Sequence, residues 1–282
     1  MDLDVKKLET TFEIQESSIT EYSESSTGTK ILMLSGVNFI DFLQIILNLK
    51  ELSLSSFNGD ISVLKNMTSL TSLDLSAFNK DLSPLKGLPL NSLNLGSFTG
   101  NISPLRGMPL TKLNLDHFEG DIFSLHELPL KHLSLYSFNG DLSPLIGMSL
   151  VEFNSNFFNG DISVLKGMPL VKLYLDSFNG DLSPLSGMTT LNTLSLNSFK
   201  GDISPLKDIP LVELHLYSFG GDISVLRRMP LTYLDLSTFN GDISTLNDMP
   251  LTNLSLYSFT LVDLRVNQLN FNLAYFNGVK IK

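Results

Sequence analysis

Residues 90–109 read LNSLNLGSFTGNISPLRGMP, and residues 130–149 read LKHLSLYSFNGDLSPLIGMS. The same line, L-x-x-L-x-L-x-S-F-x-G-D-[IL]-S-x-L-x-x-M-P, recurs outward from both stretches with a period of 20 residues. Its copies begin at Leu49, Leu70, Leu90, Leu110, Leu130, Leu150, Leu170, Leu191, Leu211, Leu231 and Leu251. The copies from Leu49 and Leu170 are one residue longer, and the copy from Leu251 loses the pattern after Phe259. A short, fixed period predicts a stack of similar coils.

The segment L-x-x-L-x-L is the signature of leucine-rich repeats, and the chain resembles that superfamily over about residues 28–260. The Ile-Ser-Pro-Leu turn, as at residues 102–105, is similar to the turn of internalin-type repeats. Two features depart from related families, namely the short period and the Phe where many families have Asn. The resemblance implies an α/β-type solenoid, a shallow horseshoe with one parallel sheet of about 12 short strands on its concave side. Short helical turns or loops are expected on the convex side.

Three segments follow from the limits of the repeat. Residues 1–27 are interpreted as an N-terminal cap or flexible segment, residues 28–259 as the repeat array, and residues 260–282 as a C-terminal cap. Solenoids need such caps because their end coils would otherwise be exposed.

Each repeat position has a predicted structural role. In x-L-x-L-x, alternation sends both leucines inward and the residues between them outward. The Phe three residues after the second leucine is expected to stack from coil to coil in a buried spine. The glycine of the Phe-x-Gly corner, as in Gly100 and Gly140, is expected to adopt a backbone conformation that favours glycine. Serines followed by proline are predicted helix N-caps: Ser83, Ser103, Ser143, Ser183 and Ser204.

The composition argues against several classes of protein. A net charge of −10 disfavours nucleic-acid binding, and the absence of cysteine excludes disulfides and thiolate chemistry. The chain starts without an apolar signal region, so a cytoplasmic location is the default expectation. The apolar stretch Ile31–Leu49 contains Asp41 and Gln44 and fits the repeat, so it is interpreted as an early coil and not as a membrane span.

The outward positions of the strands are the predicted binding surface, because repeat packing leaves them free to vary. Five of the seven tyrosines fall at these positions, and tyrosine is a favoured interface anchor. The predicted partner-binding residues are Tyr136, Tyr174, Asp176, His215, Tyr217, Tyr233, Asp235 and Tyr257. A purely structural explanation also exists, since tyrosine suits exposed strands.

One aspartate per coil forms an acidic ladder that only Asn101 interrupts. Its members are Asp60, Asp81, Asp121, Asp141, Asp161, Asp181, Asp202, Asp222 and Asp242. The favoured interpretation is that each carboxylate accepts backbone N–H groups at the start of the helical turn. A row of calcium sites is the alternative, although paired ligands are missing.

The sequence predicts neither a catalytic site nor a metal site, and no cofactor. The four histidines, His117, His126, His132 and His215, do not converge on one point of the repeat. His132 lies near Tyr136, and His215 has Asp235 one coil away, which would allow a proton-transfer pair. An open sheet offers no water-excluding pocket around them.

The favoured function is a monomeric, non-catalytic protein–protein interaction module, a scaffold that binds another protein on its concave strand face. Binding to nucleic acid or membrane is not expected. The alternative is a surface recognition or adhesion protein that binds a glycan or a receptor, which the internalin-like resemblance would suit. A third hypothesis is an architectural repeat that associates with itself through an exposed end coil.

Overall fold

The computed structural model describes residues 19–24, 30–34, 48–247, 249–260 and 273–280. The chain divides into two compact units, an N-terminal unit of residues 1–135 and a C-terminal unit of residues 136–282. The same coil builds both units, with one short strand followed by one 3-10 turn.

The N-terminal unit contains seven strands in its described residues: β1 Ile19–Glu24, β2 Lys30–Leu34, β3 Leu49–Ser53, β4 Ser72–Asp74, β5 Ser92–Asn94, β6 Lys112–Asn114 and β7 His132–Ser134. Strands β1 and β2 are antiparallel, and every later neighbour pairs in parallel. The 3-10 turns are Ser62–Asn66, Ser83–Leu85, Ser103–Leu105 and Phe123–Leu125.

The C-terminal unit contains eight strands in its described residues: β8 Glu152–Asn154, β9 Lys172–Tyr174, β10 Thr193–Ser195, β11 Glu213–His215, β12 Tyr233–Asp235, β13 Asn253–Ser255, β14 Tyr275–Phe276 and β15 Val279–Lys280. Pairing is parallel from β8 to β14 and antiparallel between β14 and β15. The 3-10 turns are Ser143–Leu145, Ser163–Leu165, Ser183–Leu185, Ser204–Leu206, Ser224–Leu226 and Ser244–Leu246.

The predicted inward positions form the core. In the repeat that starts at Leu130, the first strand leucine, Leu133, lies in the middle of β7, and the second, Leu135, directly follows it; both are buried. The repeat strand is thus three residues long, shorter than the five-residue pattern suggests. Parallel register places each first leucine beside its counterpart, as Leu214 is beside Leu234. These short strands and turns confirm the predicted leucine-rich-repeat architecture.

The predicted phenylalanine spine is confirmed in its burial. The residues from Phe57 to Phe239 at this position are at most 2% exposed, whereas Phe259 is partly exposed. The rings of Phe178 and Phe199 lie parallel with their centroids 6.4 Å apart. Stacked burial of this kind stabilises the coils through apolar area and dispersion.

The role predicted for the corner glycines was wrong. Gly100 and Gly140 do not have a positive φ; instead, a Cβ there would lie 2.9 and 2.7 Å from the Phe ring two residues earlier. Positive φ occurs later in the repeat, just after the 3-10 turn, at positions such as Gly147 (+78°). Arg228 adopts a positive φ at the equivalent position of its own repeat (+67°). Glycine is therefore favoured at the corner because a Cβ there would clash with the phenylalanine ring of the spine, and not because the backbone conformation requires glycine. Lys80 shows that one coil accommodates a Cβ.

The predicted serine caps were also wrong. Ser143 is the first residue of its 3-10 turn and makes no side-chain cap bond, and the same holds at Ser83, Ser103, Ser183 and Ser204. The aspartate two residues earlier takes this role. Asp141 accepts hydrogen bonds from the backbone N–H of Ser143 at 2.8 Å and from its Oγ at 2.5 Å. Proline does occupy the first helical positions, as predicted.

Within the described residues, no helix is both long and apolar enough to cross a membrane. Most of the Ile31–Leu49 stretch lies outside those residues, as do most of the predicted end segments.

Candidate functional site

The candidate site is the strand face of the C-terminal unit. We use this name for the three outward columns of side chains that flank each buried leucine in residues 136–260. The columns consist of Glu152, Lys172, Thr193, Glu213, Tyr233 and Asn253; Asn154, Tyr174, Ser195, His215, Asp235 and Ser255; and Tyr136, Asn156, Asp176, Asn197, Tyr217, Ser237 and Tyr257.

The five predicted tyrosines fall into two groups. Tyr136, Tyr217 and Tyr257 all follow their strands and are 37%, 47% and 63% exposed. Tyr174 and Tyr233 lie within strands β9 and β12 and are partly buried. The first group offers free aromatic area, and the second lies among charged neighbours.

Phe157 is an exposed aromatic residue that the sequence analysis missed. It is 54% exposed, and its ring meets that of Tyr136 edge-on with centroids 5.1 Å apart. Most other repeats have a small polar residue at this position, such as Ser177 or Ser218. That departure was the available signal, because a large apolar side chain in a polar column has no packing role in the repeat.

Glu213 lies at the centre of a small hydrogen-bonded group. Its Oε1 contacts Nε2 of His215 at 2.9 Å, and its Oε2 accepts a hydrogen bond from Oγ1 of Thr193 at 3.3 Å. The His215 ring packs against the Tyr233 ring, with centroids 4.8 Å apart and planes tilted by 35°. The Glu213 side chain is still 42% exposed.

His215 and Asp235, which the sequence would allow to form a proton-transfer pair, do not hydrogen-bond to each other. Strand register does place the two residues side by side. Nevertheless, His215 bonds to Glu213, and Asp235 accepts hydrogen bonds from the backbone N–H and Oγ of Ser237. Each of the two side chains therefore bonds to the residue two positions away along its own chain, and not to the residue beside it on the neighbouring strand.

Asp176 and Asp235 have internal hydrogen-bonding partners. Asp176 accepts bonds from Oγ of Ser195 and, at 2.9 Å, from Nδ2 of Asn197. Both carboxylates therefore stabilise the local backbone. Because these hydrogen bonds are internal, the carboxylates would contribute to a partner-binding surface mainly through their negative charge.

Burial and nearby carboxylates raise the pKa of the two partly buried tyrosines, Tyr174 and Tyr233. Burial first, and then the charges of Glu152 and Glu213, raise the pKa of Tyr174 above its ordinary value of 10.0. Burial first, then Asp235 and Glu213, raise the pKa of Tyr233 in the same way. Glu213 thus acts on both hydroxyls.

The strand face of the C-terminal unit is acidic overall. It carries four carboxylates and a single ammonium group: Glu152, Asp176, Glu213, Asp235 and, as the cation, Lys172. Two buried acceptor atoms, Oδ1 of Asn154 and Oδ1 of Asn197, have no hydrogen-bond partner. Buried acceptors without a partner cost free energy.

The N-terminal unit carries a recess that the sequence analysis did not single out. It has a volume of about 430 Å³, and its lining includes Ser53, Ser72, Asp74, Asn94 and Asn114. Short polar side chains in the outward columns leave this space, and the run of Ser and Asn was the signal for it.

The acidic ladder has the favoured structural role. Each aspartate accepts the backbone N–H two residues later, as at Asp181 and Asp222 (both 2.8 Å), and Asn101 does the same at 2.9 Å. Hydrogen bonds from Ser183 hold the pKa of Asp181 below its ordinary value. The described residues hold no group of three acidic, His or Cys side chains that could bind a metal ion.

The other histidines lie away from this face or have other contacts. Nδ1 of His126 lies 2.6 Å from the backbone oxygen of Phe123, on the turn side of the N-terminal unit. In the part of the chain that the structure describes, we find no nucleophile, base and oxyanion donor set that would resemble a catalytic centre.

Comparison with known proteins agrees with this architecture. No family model and no curated protein matches the sequence. Among solved structures, an internalin (inlF) from Listeria monocytogenes is 26% identical, with a TM-score of 0.75 over 88% of this chain and 79% of the internalin. The chain is a leucine-rich-repeat protein.

Two more distant structures share the fold alone. The Toll–Spatzle complex from Drosophila contains a chain that is 17% identical, with a TM-score of 0.60 over 87% of this chain. The Arabidopsis receptor kinase HAESA is 20% identical, with a TM-score of 0.53 over 89%. The leucine-rich-repeat protein spans only 40% and 46% of those chains.

Proposed function

We propose that this leucine-rich-repeat protein is a non-catalytic interaction module that binds another protein on the strand face of the C-terminal unit. The observation that carries the proposal is the set of exposed aromatic side chains there, Tyr136, Tyr217 and Tyr257, together with Phe157, whose ring contacts that of Tyr136. Surface tyrosines of this kind bury large area with few rotamers to fix, so they act as interface hot spots.

Related folds bind in a compatible way. The Toll chain is seen in complex with Spatzle, and HAESA is seen with a peptide hormone and a co-receptor. These partners belong to those proteins; here they support only the class of partner, another polypeptide. We propose a cytoplasmic location on the cysteine-free sequence alone, since the fold needs no disulfide.

The experiment is affinity capture with three forms of the full chain. One is unchanged, one carries Ala at Tyr174, Tyr217, Tyr233 and Tyr257, and a matched control carries Ala at the exposed turn-side residues Phe123 and Ile146. Equal folding is first checked by circular dichroism. A protein retained by the first and third forms and lost by the second supports the proposal. Equal capture by all three forms contradicts it.

A glycan or other small polar ligand is a second candidate, favoured by the recess of the N-terminal unit. Its Ser, Asn and Asp lining offers hydrogen-bond donors and acceptors at close spacing. Oligosaccharide array binding that Asn94→Ala abolishes and Tyr217→Ala leaves intact would favour this candidate over the first.

A further inference from the structure

The strand face of the C-terminal unit carries a net negative charge. Its four carboxylates and single lysine create a negative potential over β8 to β12. Complementary charge across an interface gives specificity and speeds association. A basic polypeptide segment is the partner that this surface suits, and this inference rests on the proposed function.

Glu213 is the carboxylate best placed to bind a cation. Each of its oxygens already accepts one hydrogen bond, Oε1 from His215 and Oε2 from Thr193. A carboxylate oxygen offers about two lone-pair sites, so one acceptor site remains on each oxygen. A guanidinium group can donate one hydrogen bond to each oxygen of a carboxylate, so one free acceptor site on each oxygen is the minimum that such pairing needs.

In the part of the chain that the structure describes, no lysine or arginine forms an ion pair with Glu213. Among the described residues its only ion-pair partner is His215, which is charged only when protonated. Lys172, the lysine of this face, lies two strands away on β9. The carboxylate is thus held in place, partly exposed and without a fixed countercharge.

Aromatic rings lie on both sides of Glu213. Tyr233 is its direct neighbour on β12, and Tyr174 lies two strands away on β9. Between them β10 carries only Thr193 and Ser195, whose small side chains are buried. A guanidinium group packs on a tyrosine ring within about 6 Å of its centroid. The His215 ring already contacts the Tyr233 ring, so an arginine would pack on the part of that ring that His215 leaves uncovered while the carboxylate pairs with it.

We propose that Glu213 and the ring of Tyr233 form the binding site for an arginine side chain of an extended basic partner segment. The segment crosses the strands from β11 towards β8. Those strands are three spacings apart, about 14 Å, and an extended chain covers about 13 Å in four residues. A second arginine four residues away therefore reaches Glu152, and an uncharged residue midway avoids Lys172.

The probe is the blocked peptide Arg-Ser-Thr-Ser-Arg, titrated into the isotope-labelled full chain and followed by NMR, including the ring signals of His215. The control peptide has citrulline in place of both arginines and so keeps the shape without the charge. We expect saturable shifts around β9 to β12 with the first peptide and none with the second.

Two variants separate specific binding from attraction to an acidic protein. Glu213→Gln and Glu119→Gln change the net charge equally, but Glu119 is an exposed residue of the N-terminal unit. We expect Glu213→Gln to raise the Kd about fivefold, as the loss of a partly exposed ion pair does, and Glu119→Gln to change it little. Equal effects of the two variants, equal binding of the citrulline peptide, or no binding of the arginine peptide would each overturn the proposal.

The same variants distinguish this inference from the proposed function. In the capture experiment, a partner that needs the four tyrosines but is retained in full by Glu213→Gln leaves the interaction module intact and refutes the arginine site. A partner that the tyrosine variant still retains refutes the module itself, whatever the peptide does.

Discussion

The ring of Phe138 occupies the space that a β-carbon on Gly140 would need, because an ideal Cβ there would lie 2.7 Å from Cζ of the ring. Phe138 belongs to the buried spine and is 2% exposed, so its ring has little freedom to move away. Where the corner residue is glycine, it and the phenylalanine of the same coil are thus one packing unit.

Gly140→Ala is expected to destabilise the protein by about 1–2 kcal/mol through overpacking. Chemical denaturation measures the loss. Gly220→Ala is the control, since nothing lies within 4 Å of a Cβ there, and it should be neutral or slightly stabilising. A Gly140→Ala variant as stable as the Gly220→Ala variant would show that the ring yields without cost.

Asp181 should stabilise its turn by accepting hydrogen bonds and not by binding a cation. Asp181→Ala should lower the melting temperature more than Asp181→Asn, because an amide oxygen can still accept the Ser183 N–H, as Asn101 does for Ser103. Melting in the presence of calcium and of a chelator completes the test. A calcium-dependent gain that Asp181→Asn removes would revive the cation sites.

The acid dependence of this ladder has a defined sign. Hydrogen bonds from Ser183 lower the pKa of Asp181 in the folded state, so the unfolded chain binds its proton first as the pH falls. The contribution of Asp181 is therefore present above its ordinary pKa of 3.8 and is lost as the pH falls through the lower folded value. The difference in melting temperature between Asp181→Ala and the unchanged chain should shrink over that range.

We expect Phe153 and Ser155 to compensate for each other's volume in the core. Both stand where other repeats have leucine, and both are buried. Ser155→Leu alone should overpack the coil and cost about 1–3 kcal/mol, and Phe153→Leu alone should cost about 1 kcal/mol through a cavity. The double variant should restore much of the loss. Additive costs in denaturation would show that the two sites are independent.

Tyr174 and Tyr233 should lose their protons at a higher pH than an ordinary tyrosine does. Burial and nearby carboxylates raise the pKa of Tyr174 and Tyr233 above 10.0, so the native state keeps protons that the unfolded state releases, and stability falls as the pH rises past that point. Tyrosine absorbance against pH measures this, with Tyr174→Phe and Tyr233→Phe assigning the signals. Glu213→Gln should lower both values. No change in either would place Glu213 too far away to act.

The fold could be predicted from the repeat, but the structural reasons for some repeat positions could not. The positions of Leu133 and Phe138 are apolar in every repeat copy, so their inward direction follows from alternation and period alone. The reason for Gly140 did not follow, since a sequence marks a glycine without saying whether conformation or space requires it. Ser143 was taken for a cap because serine and aspartate both serve as caps, and only geometry showed that Asp141 accepts the bonds.

The candidate site was predictable in outline. Tyr217 and Tyr257 were placed on the strand face by register, and the structure leaves them exposed. The pairing of His215 with Glu213 did not follow from the sequence, because the histidine has possible partners both two residues away on its own strand and on the neighbouring strand. Phe157 was not predicted, although a phenylalanine where most other repeats have serine is a clear departure from the repeat pattern.

The most direct test of the central claim is the Kd of the captured partner for the Tyr217→Ala variant, measured by calorimetry. Phe123→Ala is the control, because Phe123 is a similarly exposed aromatic residue on the turn side. A hot spot of about 2 kcal/mol corresponds to a Kd raised about 30-fold, and the control should leave the Kd unchanged. A Kd that Tyr217→Ala and Tyr257→Ala both leave unchanged would contradict binding on the strand face of the C-terminal unit.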